Sequence, residues 1–595
     1  MTRFSHRTLY WAAVGVLVLA IFWAYAPALS SYFVLDDFGL LAYSRMLGNP
    51  LPIFVHDHFP GSLFYRPLTM LFWWLTVKLF HTASMPQYLC NLLLHLSVAL
   101  VLGKLAFDMT GKRLAALIAA LIFALHPIGI GTSLWLSDRF DLLASVFSLL
   151  AMVAALGYRR EGRTSQLIAT LLLTLAALLS KEIGLVIVAP IGLLWVWPRA
   201  GERRFWTRQR VAIVLIGLMS LAWLAWRSWL LQGPGATMLL HGAPLVEIIA
   251  QGFLHWVQGY GRFIAFWPRQ SLLGRVLCSA GLVLWLVIAV AGVREAWRQR
   301  GNHEASVMLL AALALLLMPG IVQSPTTRAN AIFFGPPDSP WLAVFLSRFY
   351  YLSLCGLSLL LAKLAVLGWH SKSDIRRTGL RTTAMVASVL IMLPMALVAH
   401  QVAQQYARGS LKGKALADAA IDSISHERLP QKGCQIYLLD VDKSQRYYFV
   451  PFAGAIVKSI APASSGVRNC LIQGEGTPWF QMVSRDALQP GDVAPMLPLY
   501  DGGKRVPWMQ ISNIEVVYLN LFPGIDPRRM KHAIFLAWQD GHFVDVTDAV
   551  RSGQRAVHFQ CLRNQQQCQC PGQACPNGLP QAHAASPGGH QLPQG

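Results

Sequence analysis

Charge is scarce in this 595-residue chain: 13% of its residues are charged, against roughly 25% in an ordinary soluble domain. That excludes a water-soluble protein. Acidic residues are scarcer still, 28 Asp and Glu against 50 Lys and Arg. The deficit is uneven, with 32 basic against 14 acidic residues before residue 400 and 18 against 14 after it. A basic surplus in the apolar part fits the cytoplasmic loops of a membrane protein. Nucleic-acid binding is excluded, because it would need Lys and Arg clustered on a polar face. Internal repeats are also missing, which counts against a transporter or flippase built from matching halves.

What the chain does have is apolar sequence, 55% of it hydrophobic. A bilayer-crossing helix needs about 20 mostly apolar residues, because the hydrocarbon core offers no water to satisfy backbone groups. About eleven such runs can be read, near 9–29, 86–107, 114–130, 141–157, 164–179, 183–197, 211–230, 273–293, 305–322, 350–368 and 382–400. Placing the basic loops in the cytoplasm puts Arg3 and Arg7, Lys112 and Arg113, Arg159 and Arg160, Arg203 and Arg204, Arg294 and Arg298, and Arg376 and Arg377 on one side. The N-terminus is then cytoplasmic and the region after residue 400 extracytoplasmic. The first run reads as an uncleaved anchor, although Ala26-Pro27-Ala28 resembles a cleavage site. Pro67 to Phe80 is short and reads as an interfacial or re-entrant helix, since counting it as a span would invert every later loop.

The expected fold class is therefore mainly α, a polytopic helix bundle over 1–402, followed by an extracytoplasmic mixed α/β domain over 403–575. In that domain Gln435 to Asp440, Ile514 to Leu519 and Ala533 to Trp538 read as strands, and Asp540-Gly541 as a hairpin turn before His542 to Val546. Residues 576–595 are rich in Pro, Gly, Gln and Ala and read as a disordered tail. Cys434, Cys470, Cys561, Cys568, Cys570 and Cys575 all fall on the external side, an even number in an oxidising compartment, and read as disulfide partners. His558 and the cysteines from Cys561 to Cys575 carry zinc-binding chemistry but lack the spacing of a paired CxxC site.

Charges close to membrane depth are costly, so the few on the external side are the candidates for chemistry. Asp36 and Asp37, directly after the first span in Phe33-Val34-Leu35-Asp36-Asp37-Phe38, are the strongest single feature. In extended backbone their side chains would point opposite ways, one toward a substrate and the other held by neighbours. A carboxylate there suits a general base or a metal ligand. The competing reading of an isolated Asp pair is a solvated loop that caps a helix. Arg66, Arg139, Lys181 and Arg348 add cations on the same face, with His126, Asp138, Asp141 and Glu182 beside them. Arg and Lys are the phosphate donors, Arg as a planar fork and Lys as a point charge. Each also has a structural reading: Arg66 snorkelling, Arg139 paired with Asp138 or Asp141, Lys181 paired with Glu182.

Six motifs occur in order: LDD at 35–37, YRPLT at 65–69, NLLLH at 91–95, HPIGIGTSLWLSDRFDLL at 126–143, LLSKE at 178–182 and SRFYYLS at 347–353. Through them, residues 9–400 resemble the polytopic GT-C glycosyltransferases, in the branch of protein O-mannosyltransferases and transmembrane O-mannosyltransferases with tetratricopeptide repeats. The resemblance implies an enzyme that moves a sugar from a polyprenyl-phosphate carrier to a protein or envelope-glycan acceptor on the extracytoplasmic face. It implies Asp36 as the catalytic carboxylate, acting as base, with Asp37 as its neighbour. Arg66, Arg139, Arg348 and Lys181 would lie on the lipid phosphate, and Asn91 and His95 would be mainly packing. A divalent cation is compatible with it but not required. Two departures stand out. Gly131 occupies the place where relatives usually carry Glu, and the tetratricopeptide repeats are missing, as is an endoplasmic-reticulum retrieval signal, so a bacterial inner membrane is the expected location. The alternatives are an oligosaccharide polymerase or ligase using a lipid-diphosphate donor, a lipid transporter, and a non-catalytic envelope scaffold.

Overall fold

The computed structural model describes residues 6–34, 36–57, 64–196, 203–231, 244–265, 272–298, 303–324, 347–367, 375–425, 429, 435–441, 470–474, 480–484, 496–498, 514–519 and 533–555. The chain divides into two compact units, one of residues 1–411 with 505–511 and the other of the remainder.

The first unit is helical. Its elements are α1 (His6–Tyr25), α2 (Asp36–Met46), α3 (Pro67–Phe80), α4 (Ser84–Thr110), α5 (Arg113–Leu125), α6 (Ile128–Leu134), α7 (Arg139–Glu161), α8 (Thr164–Ser180), α9 (Val188–Val196), α10 (Arg203–Leu230), α11 (Leu245–Ala265), α12 (Leu272–Arg298), α13 (His303–Val322), α14 (Tyr351–Leu367) and the part of α15 (Ile375–Ser425) up to Leu411, the rest of α15 belonging to the second unit. The described residues of the eleven apolar runs lie on helix, apart from the break at His126-Pro127. Among the described residues six helices are long and apolar enough to cross a membrane, and α5 with α6, bent by 66°, make a seventh as a pair. The shorter apolar helices include Thr164–Ser180 and Glu182–Val196. The bend follows His126-Pro127, where proline cannot continue the α5 hydrogen-bond ladder.

Charge and packing sort these helices. α7 and α14 are enclosed, whereas α10 and α12 expose apolar faces through Val214, Leu218 and Leu221 and through Val283, Val287 and Val290. Such faces are stable against lipid and not against water. Helix α11 was not legible from hydropathy because it is amphipathic, with Val246 and Leu254 exposed while Ile248 and Trp256 are buried.

The second unit holds a four-stranded sheet in the order β2-β1-β6-β7, from β1 (Gln435–Leu439), β2 (Leu471–Gly474), β6 (Ala533–Gln539) and β7 (His542–Asp545). β1 pairs in parallel with β2 and β6, and β7 runs antiparallel to β6. The turn between β6 and β7 has positive φ at both Asp540 and Gly541, as the Asp-Gly pair requires. Its core stacks Tyr437 on Phe535 beside Leu439, Ala537 and Val550. A second sheet, β3-β5-β4, is antiparallel and contains β3 (Phe480–Ser484), β4 (Met496–Pro498) and β5 (Ile514–Leu519). Cys470 is disulfide-bonded. Cys434, Cys561, Cys568, Cys570, Cys575 and the 576–595 tail lie outside the described residues.

Candidate functional site

The segment entering α2 is fixed from two sides. The Tyr32 N–H donates to Ser410 Oγ at 2.9 Å, and the Tyr88 hydroxyl donates to the Tyr32 carbonyl at 2.8 Å. In place of the extended backbone expected at the acid pair, Asp36 and Asp37 are the first two residues of α2. Carboxylates are favoured at this positive end of a helix, and the Asp37 N–H closes onto the Val34 carbonyl at 3.0 Å. The two side chains thus diverge by about 100°, the helical step, and not by the half turn of a strand.

Their environments differ. Asp37 is fully buried; its Oδ2 accepts the Val34 N–H at 3.0 Å, and its Oδ1 accepts both the N–H and the hydroxyl of Ser137 at 2.7 and 2.6 Å. Burial outweighs these bonds and pushes its carboxyl up to about 7. Asp36 is partly exposed. Burial also raises its carboxyl above the ordinary range, and the positive charges of Arg348 and Arg66 pull it back.

Arg348 opens a short 3-10 turn, Arg348–Tyr350, ahead of α14. That turn is held by α11: the Trp256 indole N–H donates to the Phe349 carbonyl at 3.4 Å, and the Tyr350 hydroxyl donates to the Trp256 carbonyl at 2.8 Å. The Arg348 guanidinium lies 4.3 Å from the Trp135 ring centroid and 4.9 Å from that of Phe349. Among the described residues it makes no ion pair, and its Nε is buried without a hydrogen-bond partner. Arg348 as a whole is partly exposed, so only its Nε is shut off from solvent.

The other cations are already engaged. Arg66 pairs with Glu182, its Nη2 at 3.0 Å and its Nε at 3.1 Å from Oε2, and the other Glu182 oxygen is 3.5 Å from Arg227 Nη2. Two arginines thus share one carboxylate. Lys181 pairs with Asp141 and sits 3.7 Å from Asp138, not with the adjacent Glu182, because extended backbone at Lys181 turns the neighbouring side chains apart. Arg139 departs furthest from expectation. It is fully buried, pairs with neither Asp138 nor Asp141, and donates to Asn91 Oδ1 at 2.7 Å, Thr76 Oγ1 at 3.1 Å and the Gln87 carbonyl at 3.0 Å, with its guanidinium 4.4 Å from the Trp73 ring centroid. This is an anchor of α7 to α3 and α4, and no face of it is left for a lipid phosphate.

His126 is buried and its Nδ1 accepts the Ile128 N–H at 3.1 Å, so it caps the bend into α6. Gly131 is buried within α6. Asn91 and His95 are both packed inside: His95 bridges the Tyr351 hydroxyl at 2.8 Å and the Ala124 carbonyl at 3.1 Å. Arg227 was not among the sequence candidates because it sits near the end of an apolar run, although a charge inside such a run is itself the signal. Among the described residues no three His, Cys, Asp or Glu side chains converge to hold a metal ion.

No family model matches the chain. It is 29% identical over 188 residues to the mouse protein O-mannosyl-transferase TMTC3, a match covering 29% of this chain and 20% of that protein. It is 28% identical over 182 residues to the Caenorhabditis elegans protein O-mannosyl-transferase F38B6.6, covering 28% of this chain and 25% of the relative. The chain thus spans about a quarter or less of these curated relatives. Among solved structures, the Archaeoglobus fulgidus oligosaccharyltransferase aligns with a TM-score of 0.41 at 14% identity, covering 76% of this chain and 64% of that one. ArnT from Cupriavidus metallidurans aligns at 0.37 and 14%, covering 86% and 98%. By sequence, then, this multi-helix membrane chain is similar to the protein O-mannosyltransferases.

Proposed function

We propose that the chain is a membrane glycosyltransferase that moves a hexosyl group, mannose-like, from a polyprenyl-phosphate donor to a hydroxyl of a protein or envelope-glycan acceptor on the extracytoplasmic face. One observation carries this reading: a partly exposed Asp36 lies near Arg66 and near Arg348, which makes no ion pair among the described residues. The acceptor oxygen attacks the anomeric carbon as the bond from that carbon to the phosphate oxygen breaks. Asp36 takes the hydroxyl proton, and the bonding pair leaves with the phosphate. The single displacement inverts the sugar carbon. A phosphate monoester leaves as an anion, so cations stabilise the charge that develops and no second carboxylic acid is needed to protonate the leaving oxygen. Arg348 meets that charge, and Arg66, held by Glu182, supports it. Asp37 serves as the support of the helix start that aims Asp36.

The test is a deletion strain complemented with wild type or Asp36→Asn, its envelope glycoproteins and lipid-linked glycans profiled by mass spectrometry. A sugar that returns only with wild type supports the reading; equal rescue by both removes Asp36 from catalysis. The relatives' acceptors give the protein alternative its support, and the expected bacterial inner membrane leaves the glycan alternative in place.

A further inference from the structure

We propose that Trp256 of α11 is a positioning residue: it fixes the turn that carries Arg348, and so sets where that guanidinium meets the donor phosphate. This rests on the transferase reading above. Arg348 makes no ion pair among the described residues, and its guanidinium lies against the rings of Trp135 and Phe349, 4.3 and 4.9 Å from their centroids. A partly exposed arginine on a flexible stem keeps one place only as far as its backbone and those rings keep theirs.

Trp256 acts on both. Its indole N–H donates to the Phe349 carbonyl at 3.4 Å, the Tyr350 hydroxyl donates to its carbonyl at 2.8 Å, and its ring stacks on that of Tyr350 with centroids 5.3 Å apart. These contacts fall on the two residues that follow Arg348, and one of them is the phenylalanine whose ring meets the guanidinium. The first bond is long and the second short, so the hydroxyl supplies more of the hold.

The tryptophan itself has little room to move. It is fully buried, with the Phe253 ring stacked beside it on α11 and the Trp285 ring of α12 edge-on at 6.4 Å. Two glycines bring α11 close to α13. A Cβ at Gly252 would overlap the Ser324 carbonyl oxygen just past α13, and one at Gly320 would lie 2.6 Å from both Cδ2 and Cε3 of Trp256. An apolar side chain could fill the same space. A buried indole N–H needs an acceptor as well, and takes the carbonyl next to Arg348. The charge of Arg348 also acts on the Asp36 carboxyl, so a displaced turn alters the proposed base as well as the phosphate contact.

The experiment is a double-mutant cycle on equilibrium binding of undecaprenyl phosphate by the full chain in lipid nanodiscs, with the melting temperature read on the same samples. Trp256→Phe keeps an aromatic ring and loses the N–H; Tyr350→Phe loses the hydroxyl alone; each is also combined with Arg348→Gln. Beside an intact Arg348, each is expected to weaken binding by about 3- to 10-fold, the range of one hydrogen bond. In the Arg348→Gln background the same substitution is expected to change binding by less than about 2-fold while lowering the melting temperature as much as before, because the packing is lost in both. If Trp256→Phe does not fold, Tyr350→Phe decides by the same comparison. A loss of binding that is equal in the two backgrounds overturns the inference and leaves Trp256 a packing residue, as does binding at wild-type strength in both single variants. A wild type that binds no undecaprenyl phosphate, or an Arg348→Gln variant that binds it as wild type does, removes the phosphate site of the transferase reading and the inference with it.

Discussion

Ser137 donates its backbone N–H and its hydroxyl to the same oxygen of Asp37, at 2.7 and 2.6 Å, across 100 residues of sequence. This pair joins the start of α2 to the turn before α7. Ser137→Ala deletes one of the three donors to a buried carboxyl. The expected loss is about 1–3 kcal/mol of stability, read by thermal unfolding in detergent, with turnover falling alongside.

Asp37 has a consequence for pH. Its carboxyl is pushed up to about 7 by burial, so the folded chain holds a proton there that the unfolded chain releases near the ordinary 3.8. Between those values the folded state binds more protons, and stability falls as pH rises through that window. Asp37→Asn is expected to flatten this part of the melting-temperature profile between pH 4 and about 7. A slope unchanged in the variant would assign the dependence to another group.

For Asp36 the sign concerns rate. A base must be ionised, and this carboxyl is raised, so the acid limb of kcat/KM is expected above the ordinary carboxylate value of 3.8. Arg66 and Arg348 lower it, so Arg66→Gln is expected to move the limb to higher pH as well as reduce the rate. A limb that moves to lower pH, or not at all, would detach Arg66 from Asp36.

How far these arrangements were legible depends on whether they are local. The apolar runs, the Asp540-Gly541 turn and strands such as Ile514–Leu519 follow from periodicity and turn chemistry within a few residues. Asp36 stood out because two acids directly after an apolar run need a reason. Partner choice did not follow, since it is set by tertiary packing: Arg66 meets Glu182 from 116 residues away, and Arg139 turns to Asn91 and Thr76 in place of the nearby acids. Charge on the right face made Arg139 and Arg348 look alike. Only their surroundings separate an arginine whose donors are engaged by neighbours from one whose Nε is open.

Arg139 therefore makes a prediction opposite to Arg348. Arg139→Met strands buried polar partners on α3 and α4, and is expected to cost about 1–3 kcal/mol for each group left unpaired, seen as a lowered melting temperature or loss of folded protein. Arg348→Gln is expected to keep the melting temperature near wild type and to weaken undecaprenyl phosphate binding. Reversal of the two patterns would exchange the roles assigned to these arginines.

The turn carrying Lys181 and Glu182 depends on a glycine. A Cβ at Gly184 would lie 2.6 Å from both the carbonyl carbon and the oxygen of Ala177, which are backbone atoms of α8 and cannot swing aside. The turn lies so close because the Gly184 N–H bonds the Lys181 carbonyl at 2.9 Å and the Lys181 N–H bonds the Ala177 carbonyl at 3.1 Å. Gly184→Ala must then push the turn away from α8, carrying Lys181 off Asp141 and Glu182 off Arg66 and Arg227. Overpacking of this kind costs about 1–3 kcal/mol. Turnover is expected to fall further than that stability loss explains, because two charge clusters lose their geometry together. Measuring kcat/KM and the unfolding midpoint on the same preparation separates the effects: a stability loss with full activity would show that neither cluster needs its present position.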